Sequence, residues 1–192
     1  MAEIYLDYSA DTPVDERVLS AYVQTAREFF ANPNSAHLMG IRAKEIMNQS
    51  LDTIANLLHI HSSEIIFQSG ASEANNLAVK GLAFANRRKG KHIVSTFLEH
   101  SSVSGALTFL QEQGYEIDLV NVTPDGKIDL QHLKSLLRKD TILCAVCAVD
   151  SELGTVQPIA EIAEILKEYP NCKFHVDATQ AIRKIDFSFQ YA

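Results

Sequence analysis

From Glu64 onward the sequence alternates short apolar runs with stretches of helical spacing, and this alternation limits the possible folds more than any other feature. The apolar runs at 64–68, 92–96, 116–121, 141–149 and 173–176 have the length and composition of strands. Segments near 71–88, 102–113, 129–138 and 159–169 carry the helical period between them. Intervals this short leave no room for separate domains. They suit crossover units, in which each helix carries the chain back to start a further parallel strand. The expected fold class is therefore α/β, a three-layer sandwich around a mainly parallel sheet whose strands are buried on both faces.

Upstream of Glu64 the pattern is helical. Ile4 to Tyr8 reads as a short extended piece, and Asp11-Thr-Pro-Val-Asp15 as a turn leading into a helix that runs to about Phe30. Val18, Ala21, Tyr22, Ala26, Phe29 and Phe30 recur at three and four, which predicts one inward face. Asn32-Pro-Asn-Ser35 breaks that helix, and a second one from His37 to Leu58 presents Ile41, Met47, Ile54, Leu57 and Leu58. With no internal repeat, low-complexity tract or Gly/Ser linker, the expected organisation is an N-terminal arm at 1–15 and one large domain at 16–192.

Composition narrows the function. The 24 acidic against 17 basic residues give a net charge of -7, which argues against nucleic acid or an anionic membrane as partner. Small-molecule chemistry fits better. The sequence has no secretory leader and no apolar run of bilayer length, so a cytoplasmic location is expected. Cys144 and Cys147 form a C-x-x-C, but residues three apart on a strand point to opposite faces, so no metal or disulfide is expected from them. Cys172 reads as structural. No metal site is expected.

In an open α/β sheet, ligands bind beyond the carboxyl ends of the strands. The residues there are Ser69-Gly-Ala-Ser72, Glu99-His100, Asp150-Ser-Glu-Leu-Gly154 and Asp177-Ala-Thr-Gln180. A strand turning through Ser69-Gly70 into a helix leaves the first backbone N–H groups unpaired, at the positive end of the helix dipole. Such a place suits a phosphate, though Ser and Gly also serve there as a plain N-cap and strand end. Asp177 and His100 are open to the same two readings, a ligand group or a locally satisfied side chain. The absence of G-x-G-x-x-G weighs against a dinucleotide.

Seven segments, taken together, resemble the cysteine desulfurases of the class V aminotransferase group. They are Tyr5-Leu-Asp-Tyr-Ser-Ala10, Asn32-Pro-Asn-Ser35, Ser69-Gly-Ala-Ser-Glu-Ala-Asn-Asn76, Gly90-Lys-His-Ile-Val94, Glu99-His100, Glu152-Leu-Gly-Thr-Val-Gln-Pro158 and His175-Val-Asp-Ala-Thr-Gln180. The resemblance implies the large domain of a fold type I pyridoxal-phosphate enzyme. It implies that Ala71 and Ser72 hold the cofactor phosphate, that His100 stacks on the ring and assists proton transfer, and that Asp177 pairs with the pyridine nitrogen. Gln180 would bond the ring hydroxyl, and Ser151 would stand where the family carries an asparagine. The implied reaction takes sulfur from L-cysteine, leaving alanine, for iron–sulfur cluster or thiocofactor assembly.

Two departures bear on substrate. Asp150-Ser-Glu152 replaces Asn-Asn-Glu, which brings a carboxylate beside the expected substrate carboxylate, and Asp11 replaces a threonine. The resemblance covers the N-terminal half of the family pattern. The family's Schiff-base lysine and persulfide cysteine belong to later segments, and Lys184, the one lysine after Asp177, matches a non-catalytic position. The sequence thus leads to the expectation of a chain inactive by itself, with a homodimer or a complementary C-terminal chain as partner because a truncated sheet exposes an edge. A non-catalytic scaffold and another class V enzyme, such as a selenocysteine lyase, are the alternatives.

Overall fold

The structure, a computed structural model, describes residues 4–189; residues 1–3 of the expected arm and 190–192 of the expected domain lie outside them. The chain divides into two compact units, Met1–Phe67 and Gln68–Ala192.

In the first unit, α1 (Glu16–Glu28) starts at Asp15, whose carboxylate accepts from the Arg17 N–H at 2.8 Å. The second helix, α2 (Leu38–Leu58), starts at His37, whose ring nitrogen accepts from the Gly40 N–H at 3.2 Å. It ends at His59 in the left-handed conformation, and a 3-10 turn follows at Ser62–Glu64. The inward face expected of α1 is not formed, and that of α2 is formed only in part, with Ile54 and Leu58 half-buried and Ile41, Met47 and Leu57 exposed. No residue of α1 is buried, and α2 buries the small residues Gly40, Ala43 and Ala55, not its large apolar ones. Periodicity marks which side a helix would bury, but burial needs a facing surface, and this unit contains no sheet among its described residues.

The run at 64–68 also departs from expectation. Ile65 is extended, yet the segment pairs with no strand among the described residues, and Ile66 and Phe67 are 73% and 59% exposed. An apolar run of the right length becomes a strand only where a partner supplies the other half of its hydrogen bonds.

The second unit runs α3 (Ala71–Asn86), β1 (His92–Thr96), α4 (Ser101–Glu112), β2 (Glu116–Val120), α5 (Leu130–Leu136), β3 (Thr141–Cys147), α6 (Ile159–Leu166) and β4 (Lys173–Asp177). Its strands form a parallel sheet in the order β2-β1-β3-β4. Side chains alternate between two cores. Val94, Val120, Cys144 and Val146 pack with Leu133, Leu137, Ile159, Ile162 and Leu166 of the α5–α6 side. Ile93, Leu143 and Ala145 pack with Val79, Ala83, Val103, Leu107 and Leu110 of α3 and α4. The three expected layers are present.

Two contacts lock the start of the central strands. His92 is fully buried, with Nδ1 2.7 Å from Thr141 Oγ1 and Nε2 3.0 Å from Asp118 Oδ2, so its ring ties β1 to both neighbours. Gly90 lets the chain pass against β3's approach, since a Cβ there would stand 2.0 Å from the Asp140 carbonyl oxygen. The route of the chain then sets the site. From β1 it passes through α4 on one face to β2, and from β2 it crosses back through α5 on the other face to β3. The direction reverses between β1 and β3, and the crevice beyond the carboxyl ends of such a pair is where open α/β sheets bind ligands.

Candidate functional site

Asp177 is the last residue of β4 and is buried to 9% exposure. Its Oδ1 accepts from the Thr179 hydroxyl at 2.6 Å and the Thr179 N–H at 3.0 Å, and its Oδ2 accepts from Asn75 Nδ2 at 2.8 Å. Burial alone would raise its pKa. The Thr179 and Asn75 donors, with His175 nearby, outweigh that cost and hold the carboxyl below its ordinary range. Asp177 is an anion at neutral pH.

His100 caps α4. Its Nδ1 accepts from the Ser102 N–H at 3.2 Å and lies 2.9 Å from Ser102 Oγ. With Nδ1 committed as an acceptor, the neutral ring carries its hydrogen on Nε2. Ser102 Oγ in turn lies 2.9 Å from Asn75 Nδ2. Asn75 therefore links His100, through Ser102, to Asp177, and its Oδ1 accepts from His175 Nε2 at 3.1 Å. Burial lowers the His175 pKa against the opposing pull of Asp177.

The start of α3 lies one helical turn before Asn75. Gly70 stands at its N-cap without a side-chain cap, so the first-turn N–H groups keep their orphan character. The space about Gly70 is open, for a Cβ built there meets nothing within 4 Å, and Ala71 and Ser72 are exposed. The Ser69 N–H is not free, since it donates to Glu73 Oε2 at 2.7 Å. Of the expected cradle, the helix end and its hydroxyl remain available to an anion.

Ser151 is exposed in the turn after β3. The adjacent Asp150 does not face outward as the sequence suggests. It is buried, with Oδ1 accepting from the Glu152 and Leu153 N–H groups at 3.0 and 2.5 Å, so its charge stabilises its own turn. Gln180 lies on the turn after β4 and accepts from the Lys184 ammonium through Oε1. Cys144 and Cys147 are buried in β3, where burial raises both thiols, and burial pushes the Cys172 thiol up to about 12. Among the described residues no cluster of His, Cys, Asp or Glu has the makings of a metal site, and no helix is long and apolar enough to cross a membrane.

Asn75, Ser102, Thr179 and the carboxylate of Glu99 carry contacts of the site that their sequence positions do not reveal. Glu99 follows β1 and is buried, its Oε1 accepting from the Thr96 hydroxyl at 2.7 Å and the Cys147 N–H at 2.9 Å, while Oε2 has no partner among the described residues. Burial pushes its pKa up to about 7, against the downward pull of those two donors. A signal for Asn75 exists in the sequence. It shares the buried face of α3 with Val79 and Ala83, where an amide needs partners.

Against known proteins, the aminotransferase class-V family model matches residues 4–191. The NifS/IcsS protein homolog of Lactobacillus delbrueckii subsp. bulgaricus is 42% identical over 94% of this chain and 47% of its own length. Cysteine desulfurase IscS 1 of Archaeoglobus fulgidus is 41% identical over 95% of this chain and 47% of its own length. The chain spans about half the length of the curated relatives it matches. A solved NifS-like protein superposes with a TM-score of 0.95 at 36% identity, covering 98% of this chain and 52% of the other. A structure described as SspA in complex with cysteine gives 0.91 at 36% identity, over 97% of this chain and 54% of its own.

Proposed function

The chain belongs to the class-V aminotransferase family, whose members depend on pyridoxal phosphate, and from that premise we propose that the second unit is a pyridoxal-phosphate site of a cysteine desulfurase. The observation that carries this reading is the buried, ionised Asp177 at the carboxyl end of β4, beside an α3 whose N-terminus has no side-chain cap. The donor set fits the group. Ala71 and Ser72 at the helix end suit its phosphate, and the Asp177 anion suits a protonated pyridine nitrogen. His100, held through Nδ1, offers an imidazole face and a proton on Nε2. Gln180 is assigned to the ring hydroxyl, and Ser151 to the cofactor hydroxyl or the substrate carboxylate.

When bound, the cofactor supplies an electron sink for bonds at a substrate's α-carbon. The residues of this chain keep that sink effective. A carboxylate with its other lone pairs committed to Thr179 and Asn75 keeps the ring nitrogen protonated, because moving that proton to Asp177 would break an ion pair inside a partly desolvated site. The whole protein, on this reading, mobilises sulfur from L-cysteine and leaves alanine, for iron–sulfur cluster or thiocofactor assembly. The relatives named cysteine desulfurase and the neighbour solved with cysteine support that choice of substrate.

The phosphate assignment is tested by comparing pyridoxal phosphate with pyridoxal in fluorescence titrations, with inorganic phosphate as competitor. Tighter binding of the phosphorylated form, weakened by phosphate, is expected. Equal affinity for the two would remove the α3 N-terminus from the site.

A further inference from the structure

We propose that Asn75 is a positioning residue: its one amide holds both the Asp177 carboxylate and the Ser102 hydroxyl that backs His100, so two groups of the site are set from a single buried side chain. The orientation of the amide follows from its partners. An ionised carboxylate only accepts, so the edge of Asn75 that meets Asp177 at 2.8 Å must be the NH2 edge. Its second hydrogen then serves Ser102 Oγ at 2.9 Å, and the carbonyl edge is left to accept from His175 at 3.1 Å. Three of the amide's four hydrogen-bonding positions are taken.

Because Ser102 Oγ accepts from Asn75, its own hydrogen is directed to His100 Nδ1 at 2.9 Å. Asn75 is only 4% exposed, so water cannot replace these bonds if the amide is lost. Both of its N–H donors and one carbonyl lone pair are engaged within the chain, so it has no hydrogen left to donate to a ligand. The titratable groups about Asp177 are His175 on its own strand, Cys147 opposite it on β3 and Glu99 beyond the end of β1. None of these donates a hydrogen bond to it, and Asn75 is the sole donor to its Oδ2 among the described residues.

The inference rests on the pyridoxal-phosphate reading only in its cofactor arm. The first arm follows the Asp177 carboxyl by carbon-13 NMR across pH in the cofactor-free chain, for wild type, Asn75→Leu and the nearly isosteric Asn75→Asp. In Asn75→Leu the Asp177 midpoint rises by about one pH unit through the lost donor. In Asn75→Asp it rises further, and the His175 midpoint rises with it, because two carboxylates now share the space. The second arm measures pyridoxal-phosphate affinity, expected to fall about tenfold in either variant, and the nitrogen-15 shift of the bound ring, expected to move toward the unprotonated position.

An Asp177 midpoint unchanged in a folded variant overturns the proposal, whatever happens to the cofactor. Should Asn75→Leu fail to fold, the near-isosteric variant decides alone. Should the wild type bind no pyridoxal phosphate, the functional reading fails while the carboxyl titration still settles the role of Asn75.

Discussion

Glu99, just beyond β1, and Asp177, at the end of β4, are two buried carboxyl groups whose surroundings push them in opposite directions. Glu99, raised from 4.5 to about 7, binds a proton in the folded chain that the unfolded chain has already released. Its contribution to stability therefore falls as pH rises from about 4.5 to 7. Glu99→Gln imitates the neutral acid and removes that loss. Above pH 7 it is expected to be the more stable protein, by roughly 3 kcal/mol, with the gain shrinking to nothing below 4.5. Urea unfolding at pH 5 and pH 8 measures this, and equal pH slopes for the two proteins would count against a buried neutral Glu99. Asp177 has the reverse sign. Its pKa is depressed, so its contribution is present at neutral pH and lost as pH falls through the folded value.

At this scale the sequence reveals end positions better than connections. Asp177 and His100 are readable because each follows an apolar run and so falls at the carboxyl end of a strand. The chain separation of 102 residues between Asn75 and Asp177 hides their bond, for no local pattern predicts which helix face meets which strand end. Asp150 shows the opposite failure. Its charge is visible in the sequence, but the turn that absorbs it is a matter of backbone geometry.

Among the elements, α3 joins fold to site, and its N-terminus is where the two roles separate. Ser72→Asp places a negative charge in the first turn, where the helix dipole tolerates it, so thermal stability is expected to change little. The same charge repels a phosphate, and pyridoxal-phosphate affinity should fall at least tenfold. A calorimetric scan beside a binding titration separates these effects; unchanged affinity would place the phosphate elsewhere. The approach to β1 is sensitive for a different reason. Gly90→Ala drives a methyl into the Asp140 carbonyl, and a loss of about 1–3 kcal/mol is expected in denaturant unfolding. No loss would mean that this backbone gives way readily.

The helices and strands of the second unit are legible because each carries its own period, with ends set within a few residues by caps such as His100 and Asp129. The 64–68 run was not, since its composition describes a strand and only a partner makes one. The stripe on α1 stayed unburied on the same ground, and that on α2 was buried only in part.

For the molecule as a whole, that unburied apolar surface has a consequence. Tyr22, Phe30, Ile66, Phe67 and Phe97 are all well exposed, and β4 is hydrogen-bonded only to β3 among the described residues. Surfaces of this kind favour association. Sedimentation equilibrium over a dilution series is expected to show a dimer or a larger species, and a monomer at every concentration would remove association from the account.

The central claim is that Asp177, His100 and the start of α3 together form one pyridoxal-phosphate site. The most direct test is a titration of the purified chain and of Asp177→Ala with pyridoxal phosphate, read by absorbance and fluorescence. Saturable one-to-one binding by the wild type and a loss of ten- to a hundredfold in the variant are expected, as removal of a charged partner implies. Binding that is unsaturable, or equally strong without the Asp177 carboxylate, would contradict that claim.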